Sequence, residues 1–155
     1  MDDYIRGNEE MPGHLARRFQ QIAVAIFQSE VGAAGCDLTP VQYAALVAIR
    51  GRPRIDQITL AGEIALDRTT TTGVVDRLES KGLITRQVNA KDRRARELAV
   101  TPEGQAMLDR IAPAVNAAQA LMVRGLSGEE AARLTRLLRK AIEANNELSR
   151  APKRG

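Results

Sequence analysis

Cysteine, histidine and tryptophan are almost missing from this sequence: Cys36 and His14 are the sole examples of their kinds, and there is no tryptophan. A structural zinc site normally takes four Cys or His ligands and a disulfide takes two thiols, so neither forms within one chain. With no disulfide framework, a reducing, cytoplasmic setting is expected. The longest purely apolar run, "IAVAIF", is far shorter than a bilayer span. The opening "MDDYIRGNEE" is acidic and polar where a secretory leader is basic and then apolar. Neither a membrane partner nor a targeting peptide is expected. Phosphate-binding glycine loops and nucleophile motifs are missing too, so the chain does not read as an enzyme and no cofactor or metal is expected.

What the sequence does have is unevenly spread positive charge. The 155 residues carry a net charge of +4 and are numerous enough to bury a core. Between Arg68 and Arg96, the bases Arg68, Arg77, Lys81, Arg86, Lys91, Arg93, Arg94 and Arg96 face only Asp76, Glu79 and Asp92. That segment alone is more positive than the whole chain, and it points to an anionic partner.

Helix starts are legible from capping residues. In "TPVQ", Thr39 caps, Pro40 takes the first helical position and Gln42 reaches back; "TPEG" repeats this with Thr101 and Pro102; in "SGEE", Ser127 pairs with Glu130. Helices are predicted near 40–50, 102–124 and 128–149. A helix over 12–31 carries Leu15, Phe19, Ile22 and Ile26 on one stripe and ends at Gly32 and Gly35. Two short helices, 59–66 and 69–81, are separated by "LDR", with Val74, Val75 and Leu78 facing inward on the second and Gly82 stopping it. After Gly82 the period changes to two, around Ile84 and Val88 and again around Leu98 and Val100, which predicts two antiparallel strands joined by the basic loop "NAKDRRAR". The helix after Thr101 repeats Leu108, Ile111, Val115, Ala118 and Met122, with a kink expected at Pro113. The last adds Leu134, Leu137, Leu138, Ala141, Ile142 and Leu148. Two long amphipathic helices outside the basic module need a surface to cover them, and a homodimer interface is the economical one.

The fold class expected is therefore mainly α with a small β-hairpin wing: a winged helix-turn-helix lobe over 39–101, and a helical dimerisation region formed by 1–38 and 102–155. In such a lobe the second helix enters the major groove of double-stranded DNA. Its opening, "RTTTTG", is unusual because threonine is a mediocre helix former. With Val74, Val75 and Leu78 inward, Thr69, Thr70, Thr72, Gly73, Asp76 and Arg77 lie on outer or flanking faces, and Thr71 nearer the core. The first turn of a helix has unpaired N–H groups and a dipole favouring phosphate, and threonine adds a hydroxyl and a methyl for base edges. Gly73 costs about 1 kcal/mol of helix propensity, which a close approach to DNA or to a neighbouring helix would explain. Arg68, Thr69, Thr70, Thr72, Gly73 and Arg77, with Lys91, Arg93 and Arg94 at the hairpin tip, are the candidate DNA-binding residues. Arginine at such a tip suits the minor groove, with Asp92 holding the guanidinium extended. The alternative is that Asp67 or Thr69 is merely a cap, the other threonines are solvated and the tip is a charge run.

The segment "DRTTTTGVVDRLESKGLITRQVNAKDRRARELAVTPEG" resembles the multiple-antibiotic-resistance regulator (MarR) family, through "VDRLESKGLI", through Asp92, Arg94, Leu98, Thr101 and Gly104, and through helix order over nearly the whole chain. The resemblance implies a homodimer joined through its first and last two helices, binding a pseudo-palindromic operator. It also implies repression relieved by a small, often aromatic, acidic effector. Carried over, the groove contacts are Thr69, Thr70, Thr72 and Arg77, with Arg94 in the wing; Gly62 and Gly73 stand where larger side chains are expected.

The opening "PGHLARRFQQ" resembles the branch that controls aromatic-acid breakdown. His14, Arg17, Arg18 and Gln21 lie at i, i+3, i+4 and i+7 beside Leu15 and Phe19, a boundary suited to a ring carboxylate, either a free acid or its coenzyme A thioester. All four aromatics, Tyr4, Phe19, Phe27 and Tyr43, fall in the first 43 residues, and Tyr43 joins the candidate ligand-binding set. The competing assignment makes Phe19 and Phe27 core and the arginines a solvated helix face or dimer salt bridges. Two other functions fit the sequence less well: thiol sensing by Cys36, disfavoured because no sequence neighbour would lower its pKa, and a winged helix used only for protein contacts.

Overall fold

The computed structural model describes residues 7–154. Its order is α1 (Pro12–Ala33), α2 (Pro40–Gly51), β1 (Ile55–Asp56), α3 (Gln57–Glu63), α4 (Arg68–Ser80), β2 (Ile84–Val88), β3 (Arg96–Val100), α5 (Pro102–Met122) and α6 (Gly128–Ala144), with short 3-10 turns at Asn8–Glu10 and Asn146–Leu148. Tyr4 lies outside the described residues.

The three capping signals all operate. The Thr39 hydroxyl accepts from the Gln42 backbone N–H at 3.2 Å while the Gln42 side chain accepts from Thr39 at 3.3 Å. Ser127 and Glu130 repeat that exchange on α6, and Thr101 accepts from Gly104 at 3.0 Å on α5. α5 runs on through Pro113. Glycine ends α1 and α4: Gly35 and Gly82 have φ of 76° and 72°, and the N–H groups of Cys36 and Leu83 reach back to Val31 and Leu78 in Schellman caps. Gly32 stays inside α1, so Gly35 alone of the expected pair ends the helix. α3 ends the same way on Ala65, a non-glycine at φ 56°, which turns the chain tightly into α4.

The sheet has three strands, not two. β2 and β3 pair antiparallel with Arg86 opposite Leu98, and Ile55 of β1 pairs with Leu98 on the other side. Two residues are too few to leave a periodic signal, so β1 escapes sequence reading. Around this sheet one apolar core joins Phe27 and Val31 of α1, Leu46 and Ile49 of α2, Leu60, Val75, Leu78 and Leu98, and Leu108, Ile111 and Val115 of α5.

Two apolar surfaces stay outside that core. On α1 the stripe Leu15, Phe19 and Ile22 is exposed, whereas Phe27 and Val31 on another face are buried. α6 contributes no buried residue at all, and Leu137, Leu138 and Ile142 are 49%, 43% and 66% exposed.

The hairpin is locked onto α5 at one point. The Thr101 hydroxyl donates to the Gly82 carbonyl at 2.6 Å and its N–H to that of Leu83 at 3.0 Å. A Cβ on Gly104 would stand 2.2 Å from the Leu83 carbonyl oxygen and 2.8 Å from a Val100 methyl. Gly104→Ala is therefore expected to destabilise the fold by about 2 kcal/mol or more, despite alanine's better helix propensity. Denaturant unfolding with an unchanged midpoint would refute this seat.

Candidate nucleic-acid interface

α4 starts at a double cap. The Asp67 carboxylate accepts from the Thr70 N–H and the Thr70 hydroxyl, each at 2.8 Å, and Asp56 does the same for Thr59 at the start of α3. The Thr70 backbone bond first, then its hydroxyl, holds the Asp67 carboxyl below its usual range, so the cap is anionic at neutral pH. The Thr71 hydroxyl donates to the Asp67 carbonyl at 2.8 Å, and that of Thr72 to the Arg68 carbonyl at 3.0 Å. Three of the four threonine hydroxyls thus donate within the chain. The exposed Thr70 and half-buried Thr72 keep lone pairs and methyls for a partner, while Thr69 alone of the run keeps a free hydroxyl proton among the described residues. Asp67 is the cap, as the structural alternative held, but the faces are as expected: Thr71 is 1% exposed, Val75 and Leu78 are buried, and Arg68, Thr69, Gly73 and Arg77 are exposed. Val74 is half-buried against the core. Nothing lies within 4 Å of where a Cβ on Gly73 would project, so no neighbouring helix accounts for that glycine.

Arg86 ties the hairpin to α4. From β2 its guanidinium bonds Asp76, Glu79 at 3.2 Å and Gln57 at 3.3 Å, and the Asp76 bond is the main reason its pKa is raised. Sequence reading counts Arg86 among the basic residues and misses this role. The available signal is its phase: Arg86 shares a strand face with buried Ile84, the side that packs on α4. Lys81 is likewise engaged, 2.9 Å from Asp37. Arg68, Arg77, Lys91, Arg93 and Arg94 have no carboxylate partner among the described residues.

The wing tip is shaped by Asn89 and Asp92. The Asn89 side-chain oxygen accepts from the N–H groups of Lys91 and Asp92 at 2.7 and 3.0 Å. Asp92 accepts from the Arg94 backbone N–H at 3.0 Å, so it sets the turn and does not hold the guanidinium, contrary to expectation. Lys91, Arg93 and Arg94 are left exposed. At the loop end of β3, opposite Gln87, Glu97 takes a two-pronged contact from Arg54, at 3.0 and 3.1 Å, and a further bond from the Asn89 amide.

The other candidate set is dispersed within one chain. His14 and Arg17 approach at 3.5 Å, and Arg17, Arg18 and Gln21 are exposed. Tyr43 instead packs on Phe27, ring centroids 5.5 Å apart. Phe27 lies about 20 Å further along α1 than His14, at 1.5 Å per residue. Surface hollows of 460, 320 and 910 Å³ are lined by none of these five residues. Phe27 is core, and Phe19 is 37% exposed. Cys36 is buried in the core cluster. No helix of the described residues is long and apolar enough to cross a membrane.

A helix pair with a tight turn, a braced hairpin and a cationic rim define a winged helix-turn-helix DNA-binding protein. The chain belongs to the MarR family of transcriptional regulators, which matches residues 38–95. It is 33% identical over 138 residues to the HTH-type transcriptional repressor NicR of Pseudomonas putida, covering 88% of this chain and 85% of that protein. Among solved structures it is similar to the PcaV transcriptional regulator from Streptomyces coelicolor in complex with its natural ligand, at 31% identity and a TM-score of 0.81, covering 89% of this chain and 96% of that one. It is also similar to Bordetella bronchiseptica BpsR, whose DNA binding is regulated by 6-hydroxynicotinic acid, at 31% identity and a TM-score of 0.79, covering 86% of this chain and 94% of that one.

The Arg54 hydrogen bonds, before any other cause, hold Glu97 below its ordinary 4.5. A carboxyl depressed in the folded state stabilises the fold above its unfolded pKa and loses that contribution as pH falls through the folded one. Glu97→Gln should thus unfold more easily than the parent above about pH 5, with the gap narrowing below it. Melting curves that differ equally at acid and neutral pH would contradict this.

Proposed function

We propose that this regulator is a homodimeric repressor that grips a pseudo-palindromic operator and is released by a small ring carboxylate or its coenzyme A thioester. The observation that carries the DNA part is the cationic rim: Arg68 and Arg77 on α4, and Lys91, Arg93 and Arg94 on the wing, have no carboxylate partner among the described residues, while Lys81 and Arg86 do. Thr69, Thr70, Thr72 and the bare Gly73 lie between them. Thr69 is the hydroxyl suited to donate to phosphate; Thr70 and Thr72 are suited to accept from a base amino group or to touch a thymine methyl.

The dimer rests on the uncovered stripes. Leu15, Phe19 and Ile22 on α1 and Leu137, Leu138 and Ile142 on α6 need a cover that the described residues of one chain do not supply, and a second copy supplies it symmetrically. Sedimentation that finds only monomer at DNA-binding concentrations would remove this basis. The effector site follows from the same reading. His14, Arg17, Arg18 and Gln21 border the α1 stripe, so an interface covering that stripe turns an open helix face into a pocket with apolar walls and cationic ends. Regulation of BpsR by 6-hydroxynicotinic acid supports a ring carboxylate as the occupant. Tyr43 belongs with it only if the partner's α1 approaches α2.

Two outcomes test these assignments. Arg94→Ala should weaken DNA binding and lower the slope of log K against log salt by about one, as expected for one lost phosphate contact. An unchanged slope would take the wing off the DNA. His14→Ala and Arg18→Ala should leave DNA affinity near that of the parent while blunting release by ring carboxylates in a thermal-shift and DNA-release series. Loss of both functions together would indicate damage to the fold instead.

A further inference from the structure

Gly62 in α3 stands where a larger residue is expected, and the structure supplies a reason. A Cβ there would lie 3.0 Å from the Pro152 carbonyl oxygen and 3.4 Å from the Lys153 Cα. The segment after α6, "SRAPKR", folds back and lays its backbone against this notch. It is fastened at two further points. The Asn146 side chain bonds both the N–H and the carbonyl of Lys153 at 2.8 Å, and the Lys153 ammonium lies 3.0 Å from Glu63. Arg154 then lines the 910 Å³ groove between α4 and the wing, together with Arg68, Thr72, Arg94 and Arg96. Arg150 lines the adjoining hollow beside Asp67 and Arg68.

We propose that this docked segment is a third DNA-contacting arm, seated on α3 through Gly62 and presenting Arg154, with Arg150 behind it, to the phosphates that flank the groove α4 reads. The proposal rests on the DNA-binding reading above and extends it to residues outside the winged lobe. Two features of the seat favour a polyanion. Lys153 is neutralised by Glu63, whereas Arg150 and Arg154 have no carboxylate partner among the described residues. The groove that Arg154 lines carries four arginines against Asp56 and Asp92, an excess of positive charge that phosphates would offset. Docking also orders the arm beforehand, so contact with DNA loses less chain entropy than a loose tail would lose.

The test is salt-dependent binding to a short mixed-sequence DNA duplex, with thermal melting to confirm folding. Arg154→Ala should lower the salt slope by about 0.9, the value for one neutralised phosphate. Gly62→Leu, which unseats the arm and Arg150 with it without touching a charge, should lower it at least as much, and adding Arg154→Ala to that variant should lower it no further. A parent protein with a normal slope whose Arg154→Ala variant keeps that slope, or binds more tightly, would overturn the arm while leaving the DNA-binding reading intact. A parent showing no salt-dependent binding would instead sink both.

Discussion

Arg86 crosses from the hairpin to the helix that precedes it, and the shape of the reading surface depends on that crossing. Val75 and Leu78 of α4 share the apolar core with Ile84 and Leu98 of the sheet, but non-directional contacts alone do not fix the angle between helix and hairpin. One guanidinium bonded to Asp76, Glu79 and Gln57 does, because its planar fork meets three acceptors on two different helices at once. Thr101 closes the root of the hairpin against Gly82 and Leu83, and Arg54 braces β3 close to the loop through Glu97. The wing is therefore held along its strands and free only at its cationic tip.

The threonine run serves two purposes through different atoms. Toward the protein, the Asp67 carboxylate accepts from the first turn of α4, and three of the hydroxyls donate to that carboxylate and to the Asp67 and Arg68 carbonyls. Away from it, methyls, lone pairs and the Thr69 hydroxyl remain. Serine could make the same inward bonds without the methyls, and alanine could present an apolar surface without the bonds. A β-branched alcohol does both, which offsets its modest helix propensity at a site whose order comes from capping.

Much of this was legible in the sequence, and the parts that were not share a cause. Thr39, Thr101 and Ser127 announce their helices because a cap is a local device, read within four residues. Likewise the inward face of α4 follows from spacing alone, Thr71 included. Contacts between distant segments leave no such mark. The pairing of Ile55 with Leu98, the reach of Arg54 to Glu97 and the docking of Pro152 on Gly62 all join stretches far apart in the chain, and none has a period. Asp92 illustrates a subtler limit. Its position at the tip was readable, but whether it bonds a backbone N–H or a guanidinium depends on turn geometry that residue type does not specify. The candidate effector residues depend on distant segments too: within one chain Tyr43 packs on Phe27, far along the rigid helix α1 from His14.

Glu63 carries an implication of its own. This one carboxylate receives Arg52 from the end of α2, at 3.5 Å, and Lys153 from the far end of the chain, at 3.0 Å. It is thus a junction at which the rear of the reading lobe and the returning segment share a single counter-charge, so a disturbance at either cation is felt by the other. Any tilt of the lobe relative to α6, whatever drives it, would tug on that junction and slacken the hold on Lys153, making the posture of the lobe and the seating of the last residues one mechanical variable.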